Sequence, residues 1–576
     1  MNKPSRNDDV DAHPHWNQSP HALSGDLTTR ADLNGIVNRR EMRSSVSDPD
    51  ADQDFNDRIS QPQVPRPPNS SSNRSKEHAH VGTELRDLAR PHYPALAMDG
   101  SESNLSVPEP RKGFFARIAH VLVRYAHFVG PGFMIAVAYI DPGNYATDVE
   151  AGAETRYAHL FIVLMSNLFA IFLQSLCIKL GSVTGLNLAE NCRKHLPKWL
   201  NIVLYLMAES AIIATDIAEV IGSAIALNLL FHIPLVAGCA ITVVDVLLLL
   251  IFYKPDGSMK RLRVFEFFVM GLVLGVMVCF CIQLSYIRDT SASEVFRGYL
   301  PSPAIIKGNG IYLSCGILGA TVMPHSIFLG SGVVQPRLKQ FDEQNGYHVH
   351  NTTEQVEEEK YRPSIHAIRS CLKYSIAELA TQLFTFALFV NSAILIVAGS
   401  SLYANGDASQ ADLFGIHKLL SNNLSKAAGT IFALALLLSG TSAGIVATMA
   451  GQMVSEGMLN WTVQPWMRRL ITRAISIIPS IVIAASVGRH GLSRALTASQ
   501  VVLSVILPFV SAPLLWFTCK SSIMSVRADA NGRRGSQGVT VNMRNGWAVT
   551  IMAGLIWLVL VVMNLALLVL VGLGKA

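Results

Sequence analysis

From about residue 127 to the C-terminus the chain alternates long apolar runs with short polar breaks. His159 to Ile178 reads HLFIVLMSNLFAIFLQSLCI, and Trp547 to Gly574 holds no charged residue. Runs of about 18 or more apolar residues are the mark of membrane-spanning helices. The pattern predicts eleven of them, at roughly 127–147, 158–181, 201–230, 233–253, 264–286, 310–335, 373–400, 427–457, 469–487, 495–519 and 547–574. The fold class expected is an all-α membrane protein.

Residues 1–110 break the pattern. They are rich in Asp, Ser, Asn, Pro and Arg and poor in aromatics. Such a segment buries too little apolar surface to offset its ordering entropy, so a disordered N-terminal tail is expected, followed by a transmembrane domain over 111–576. Any regulatory or sorting partners would bind that tail. Its start is polar, without the apolar core of a secretory signal, so the first span is expected to direct insertion.

Composition agrees. Half of the residues are hydrophobic and 15% are charged, against about 25% in soluble proteins. The net charge of +6 is spread over short loops between apolar spans, which speaks against a nucleic-acid partner and for the bilayer. Arg111, Lys112, Arg117 and Arg124 precede the first span, and Lys254, Lys260, Arg261 and Arg263 lie between the fourth and fifth. These and the other basic loops fall on one side, which predicts a cytosolic N-terminus and a C-terminus across the membrane. The first far-side loop is expected to be acidic, with Asp148, Glu150 and Glu154. A longer one carries the sequon Asn423-Leu424-Ser425, a glycosylation acceptor by pattern. The eight cysteines form no CxxC pair and read as small buried residues.

Two spans contain what a lipid-buried helix should lack. The first holds Asp141-Pro142-Gly143-Asn144, and the sixth holds Met323-Pro324-His325. Proline deletes a backbone donor, glycine loosens the chain, and a membrane carboxylate costs a few kcal/mol. Singly, Met323 reads as core packing and Pro324 as a tolerated kink. Together, the paired breaks at Pro142, Gly143 and Pro324 mark a transporter substrate site at mid-membrane, with spans one to five and six to ten as inverted halves and one extra helix. Asp141, Asn144 and Met323 then offer a carboxylate, an amide and a thioether. A thioether disfavours hard magnesium and calcium and tolerates manganese, iron, cobalt or cadmium.

These two motifs, with the stretch Glu219 to Leu230, resemble the Nramp family of proton-coupled divalent metal transporters over about residues 115–574. The tail and span count resemble its fungal, SMF-type branch. The resemblance implies the inverted-repeat fold of the amino-acid/sodium symporters and symport of Mn2+ or Fe2+ toward the cytosol, with Co2+ and Cd2+ as further cargo. It implies no cofactor and no enzymatic activity, and either the plasma membrane or an endosomal or vacuolar one. It adds the Ala320 carbonyl to the ligands of the inward-facing state, and the Ala138 carbonyl and Gln500 side chain to the outward-facing one.

In span three Glu209, Asp216 and Glu219 share a helical face. Arg473 and Arg337 are candidate partners, and the set reads either as an ion-pair network or as a proton relay. His325 can change charge near neutral pH, and a dication beside Asp141 favours its ionised form. The resemblance implies a proton leaving Asp141 toward these acids and arginines. Asp245 and Glu378 are further membrane acids without an assigned role. Span eight reads Ser439-Gly440-Thr441-Ser442, where many relatives have Gly-Gln-Ser-Ser. Competing readings are a non-transporting metal sensor of the same fold, an amino-acid symporter, which Asp141 disfavours, and a magnesium transporter, which Met323 disfavours.

Overall fold

The computed structural model describes residues 129–574 except 243–258, 288–289, 348–360, 404–411, 461–464, 487 and 529–538. The expected N-terminal tail lies outside the described residues. The first span is two helices, α1 (Pro131–Val137) and α2 (Pro142–Thr155). Then follow α3 (Leu160–Thr184), the short α4 (Leu188–His195), α5 (Lys198–Phe231), α6 (Met259–Tyr286) and α7 (Ala292–Gly298). The sixth span is also divided, into α8 (Gly310–Thr321) and α9 (Pro324–Gly332), and α10 (Gln335–Gln344) continues it. Next come α11 (Ile365–Gln382), which runs through a π turn at Leu383–Ala387 into α12 (Leu388–Ser401), and α13 (Leu413–Leu419). The chain ends with α14 (Lys426–Leu459), α15 (Pro465–Ser486), α16 (Gly488–Cys519), a hairpin of β1 (Ser525–Ala528) and β2 (Val539–Asn542), and α17 (Trp547–Gly572).

Eight helical stretches among the described residues are long and apolar enough to cross a membrane. The first span is not among them because its halves are short. The ninth, α15, is apolar only over Ala474–Ser486, and the fourth is helical over 235–242 before it leaves the described residues. Local chemistry sets the ends. Asn187 and Glu190 form a capping box that starts α4, Gly185 closes α3 in the left-handed region, and the Ser364 and Ser425 hydroxyls cap α11 and α14.

Large apolar side chains point outward on α6, α15 and α17: Phe267, Phe268, Val482, Leu558 and Val562 are all more than half exposed. In water such faces would be aggregation surfaces; lipid solvates them. Inside, α5 packs along α14, α2 along α12, α8 along α16 and α9 along α3. The divided helices are thereby surrounded by unbroken ones.

Two expectations are corrected. Asp148, Glu150 and Glu154 do not form a loop but continue α2, and Asp148 is fully buried. The break makes Asp141 a helix N-cap with Pro142 in the first turn, so a fresh helix starts there and runs past the predicted end of the span. The segment between the last two spans, read as a basic loop, contains the hairpin, in which Val526 pairs with Val541. Its short run of β-branched residues, Val539-Thr540-Val541, fits a strand.

Candidate metal centre

Each break frees a particular carbonyl. A proline has no N–H to give the carbonyl four residues earlier. Pro142 therefore leaves Ala138 without its helical donor, and Pro324 does the same for Ala320. Between α1 and α2 the backbone is held by tight turns, with Tyr139 N bonded to Ala136 O at 3.0 Å and Ile140 N to Val137 O at 3.0 Å. Between α8 and α9 only Val322 and Met323 leave the helix, and Met323, fully buried, caps α9.

Asn144 ties the two breaks together. Its backbone N–H donates to Asp141 Oδ1 at 2.9 Å and its Nδ2 to the same oxygen at 2.6 Å. That Nδ2 also donates to the Ala320 carbonyl at 3.0 Å, across to the other break. Asn391 Nδ2 donates to Asn144 Oδ1 at 3.3 Å and to the Tyr139 carbonyl at 3.0 Å. Ser439 donates to the Ile140 carbonyl at 2.6 Å. On the α9 side, Ser326 Oγ donates to the Met323 carbonyl at 2.8 Å, and Gln174 Nε2 donates to both Ser326 Oγ and Tyr139 OH at 3.0 Å.

Gln500 on α16 is fully buried against Gly143: a Cβ there would stand 2.2 Å from Gln500 Nε2. Glycine at 143 is thus what lets α16 approach. Pro142 is clasped similarly, between Gly222 of α5, whose added Cβ would meet its ring at 2.2 Å, and Gly440 of α14, at 3.4 Å. At Gly440 the close neighbour is the Ser223 hydroxyl, which an added Cβ would meet at 2.3 Å, while the Pro142 ring is at ordinary contact distance.

The atoms left over are informative. Asp141 Oδ2, Gln500 Oε1 and Thr321 Oγ1 are buried without a hydrogen-bond partner. Buried polar atoms are usually paired, and these three oxygens belong to residues at or beside the two breaks: Asp141 caps α2, Thr321 ends α8 and Gln500 packs against Gly143, an arrangement that fits a cation. No cluster of three His, Cys, Asp or Glu able to hold a metal occurs among the described residues. The donor set is one carboxylate with neutral oxygens and sulfur.

The second set of residues is more dispersed. His325 is buried, with Nδ1 3.4 Å from Thr215 Oγ1 on α5. Asp216 accepts from Ser476 Oγ of α15 at 3.1 Å, Glu219 is buried, and Glu209 is partly buried. The side chain of Arg473 lies outside the described residues, as does that of Asn423, whose backbone belongs to a π turn at Leu420–Leu424. Arg337 reaches Glu266 of α6 at 3.3 Å and the Val129 carbonyl at 3.2 Å. Glu378 accepts from the N–H groups of Gly130 at 2.7 Å and Gly132 at 2.9 Å. Sequence reasoning left Glu266, Gln174, Asn391 and Ser326 unmentioned. Glu266, Gln174 and Asn391 lie in spans without a proline break, and Ser326 follows the Met323-Pro324-His325 break by one residue.

Residues 132–570 match the family model for natural resistance-associated macrophage protein-like (Nramp) proteins. The chain is 53% identical over 499 residues to manganese transporter SMF1 of Saccharomyces cerevisiae, covering 79% of this chain and 87% of that protein. It is 52% identical over 414 residues to iron transporter SMF3 of the same yeast, covering 72% and 85%. The crystal structure of the Eremococcus coleocola manganese transporter bound to an aromatic bis-isothiourea compound superposes with a TM-score of 0.62 at 32% identity, covering 82% of this chain and 90% of that one. With the family model spanning most of its length and the yeast relatives matching at more than half identity, the chain belongs to the Nramp family.

Proposed function

We propose that the chain is a proton-coupled symporter that carries Mn2+ or Fe2+ to the cytosol by alternating access, through a centre built on Asp141, Asn144 and Met323. The observation that carries this reading is the Asn144 amide bonded at once to Asp141 and to the Ala320 carbonyl, which joins the two helix breaks at one point. The yeast and bacterial relatives, which are manganese and iron transporters, support the cargo.

The chemistry follows from the donors. An amide nitrogen cannot ligate a cation, so the Asn144 side chain turns its oxygen inward when cargo arrives, giving up its bond to Asp141. Ala320 supplies its carbonyl in the inward-facing state, and Ala138 and Gln500 supply theirs in the outward-facing one. The two halves, spans one to five and six to ten, rock about this point with the N-terminus in the cytosol. The proton leaves Asp141 by way of His325 and Thr215 toward Asp216, Glu219 and Glu209, with Arg473 and Arg337 as charge partners.

The test is uptake into proteoliposomes under an imposed pH gradient. Manganese accumulates in vesicles bearing the wild-type chain when the entry side is acidic, and magnesium does not. Asp141→Asn abolishes this uptake while the protein remains folded and inserted. Full manganese uptake by the variant removes Asp141 from the centre; uptake indifferent to the pH gradient removes the proton.

A further inference from the structure

The Asn144 amide is the group at the breaks whose orientation the proposed centre has to reverse. Its Nδ2 stands 2.6 Å from Asp141 Oδ1 and 3.0 Å from the Ala320 carbonyl, two oxygens that accept its protons, so the nitrogen faces them. A cation is ligated by the amide oxygen, not by the nitrogen. Loading therefore turns the amide over and brings Nδ2 round to where Oδ1 now lies. What stands there decides how readily the amide turns.

Asn391 of α12 stands there, fully buried. Its Nδ2 donates to Asn144 Oδ1 at 3.3 Å and to the Tyr139 carbonyl at 3.0 Å. That carbonyl fixes which end of the Asn391 amide faces the break, because only the nitrogen can donate to it. Asn391 Oδ1 is buried without a partner. The surrounding elements hold the residue in place. The π turn at Leu383–Ala387 ends one turn before Asn391, and its extra residue rotates the helix beyond it by about 100°. Further along, α12 lies hard against α2: a Cβ at Gly152 would stand 2.7 Å from the Leu395 carbonyl. With the Asn144 amide turned over, two NH2 groups face each other, donor against donor. Asn391 relieves this only by turning over as well, which presents its Oδ1 to Asn144 and gives up the bond to the Tyr139 carbonyl. Either way the loaded centre has one hydrogen bond fewer at Asn391 than the empty one.

We propose that Asn391 is a positioning residue that favours the empty centre: it holds the Asn144 amide with its nitrogen inward, and so limits how tightly cargo binds and speeds its release. This inference rests on the proposed centre, in which Asn144 ligates through its oxygen. One net hydrogen bond changes an equilibrium by roughly twofold to tenfold, and the bias set by Asn391 is of that size. Asn391 touches no ion. Met323 sorts cargo by chemistry, whereas Asn391 sets how firmly any cargo is held.

The test uses the purified full chain, with manganese binding followed by titration calorimetry in detergent and uptake followed in proteoliposomes. Asn391→Leu keeps the size and removes both donated bonds. Its manganese dissociation constant falls roughly twofold to tenfold, its maximal uptake rate falls, and its metal-free form unfolds at a lower temperature than wild type. Asn391→Asp, which offers an acceptor to the turned amide, binds manganese at least as tightly as Asn391→Leu. Tighter binding with slower turnover is a split that loss of packing does not produce. In an Asn144→Ala background, with no amide to hold, Asn391→Leu leaves the dissociation constant where Asn144→Ala alone puts it. Binding that is unchanged or weaker in Asn391→Leu overturns the proposal, as does tightening that persists in full without the Asn144 amide. If Asn391→Leu fails to fold, Asn391→Asp in the two backgrounds decides: more tightening with the amide present supports the proposal, and equal tightening overturns it. Should the wild-type chain bind no manganese, or Asn144→Ala bind it as wild type does, the proposed centre fails and this inference falls with it. Manganese bound by wild type, weakened by Asn144→Ala and indifferent to Asn391→Leu sinks the inference only.

Discussion

Met323 is the residue whose substitution reads out most cleanly. Its backbone is fixed at the start of α9 by the Ser326 N–H and hydroxyl, both bonded to its carbonyl, so truncating the side chain leaves the break in place. Met323→Ala removes the thioether and keeps every oxygen donor. Calcium or magnesium, excluded by the soft sulfur, should then compete with manganese uptake, while manganese transport itself persists. Competition assays on the two proteins check this; unchanged selectivity takes Met323 out of the filter. The residues of the proposed centre stand out in the sequence because they are anomalous in their setting: an acid, an amide and two prolines inside apolar runs. The freed carbonyls of Ala138 and Ala320 were named by resemblance, although each lies four residues before a proline and follows from that spacing alone. Gln174, Asn391 and Ser326 were not legible. A small or amide side chain within a span carries no sign of what it faces.

At the scale of elements, α1 depends on groups far away in sequence. A seven-residue helix is too short to be stable by itself, and its first N–H groups have no intrahelical partner. Glu378 of α11 accepts the N–H groups of both Gly130 and Gly132, from 248 and 246 positions away. Arg263 and Arg337 donate to the Val129 carbonyl at 2.9 and 3.2 Å, and Glu266 pairs with both arginines. The start of α1 is thus held by a clasp of charged residues from α6, α10 and α11. Each buried N–H left unpaired costs about 1–3 kcal/mol, so Glu378→Ala should destabilise the protein by roughly 2–5 kcal/mol. Glu378→Gln, which keeps an acceptor oxygen, should lose far less. Thermal unfolding of the purified variants measures the difference, and equal losses for Ala and Gln would assign the effect to charge rather than capping. Periodicity located α11 and flagged Glu378 as a membrane acid, but its partners could not be inferred from a pattern that looks a few residues either way. The same limit hid the continuation of α2 through Asp148, Glu150 and Glu154. Charged residues were read as a loop, whereas the helix restarted by Pro142 carries them on.

For the whole molecule, the long unbroken helices turn apolar faces outward and enclose two divided ones, where Asp141 Oδ2, Gln500 Oε1 and Thr321 Oγ1 are left without partners. Such an interior is poorly stabilised until something binds where the breaks meet. A ligand that binds the folded state alone stabilises it by about 2.7 kcal/mol at a hundred times its dissociation constant. Manganese should therefore raise the unfolding temperature of the detergent-solubilised protein by a few degrees, in a concentration-dependent way. Magnesium at the same concentration should not, since one carboxylate and a thioether offer little to an ion that sheds its water reluctantly. In Asp141→Asn the manganese effect should vanish, because the one charged ligand is gone while the packing of Pro142 between Gly222 and Gly440 is untouched. A manganese shift that survives in that variant places the binding energy elsewhere in the molecule. Joint loss of the shift and of uptake ties binding and transport to the same carboxylate.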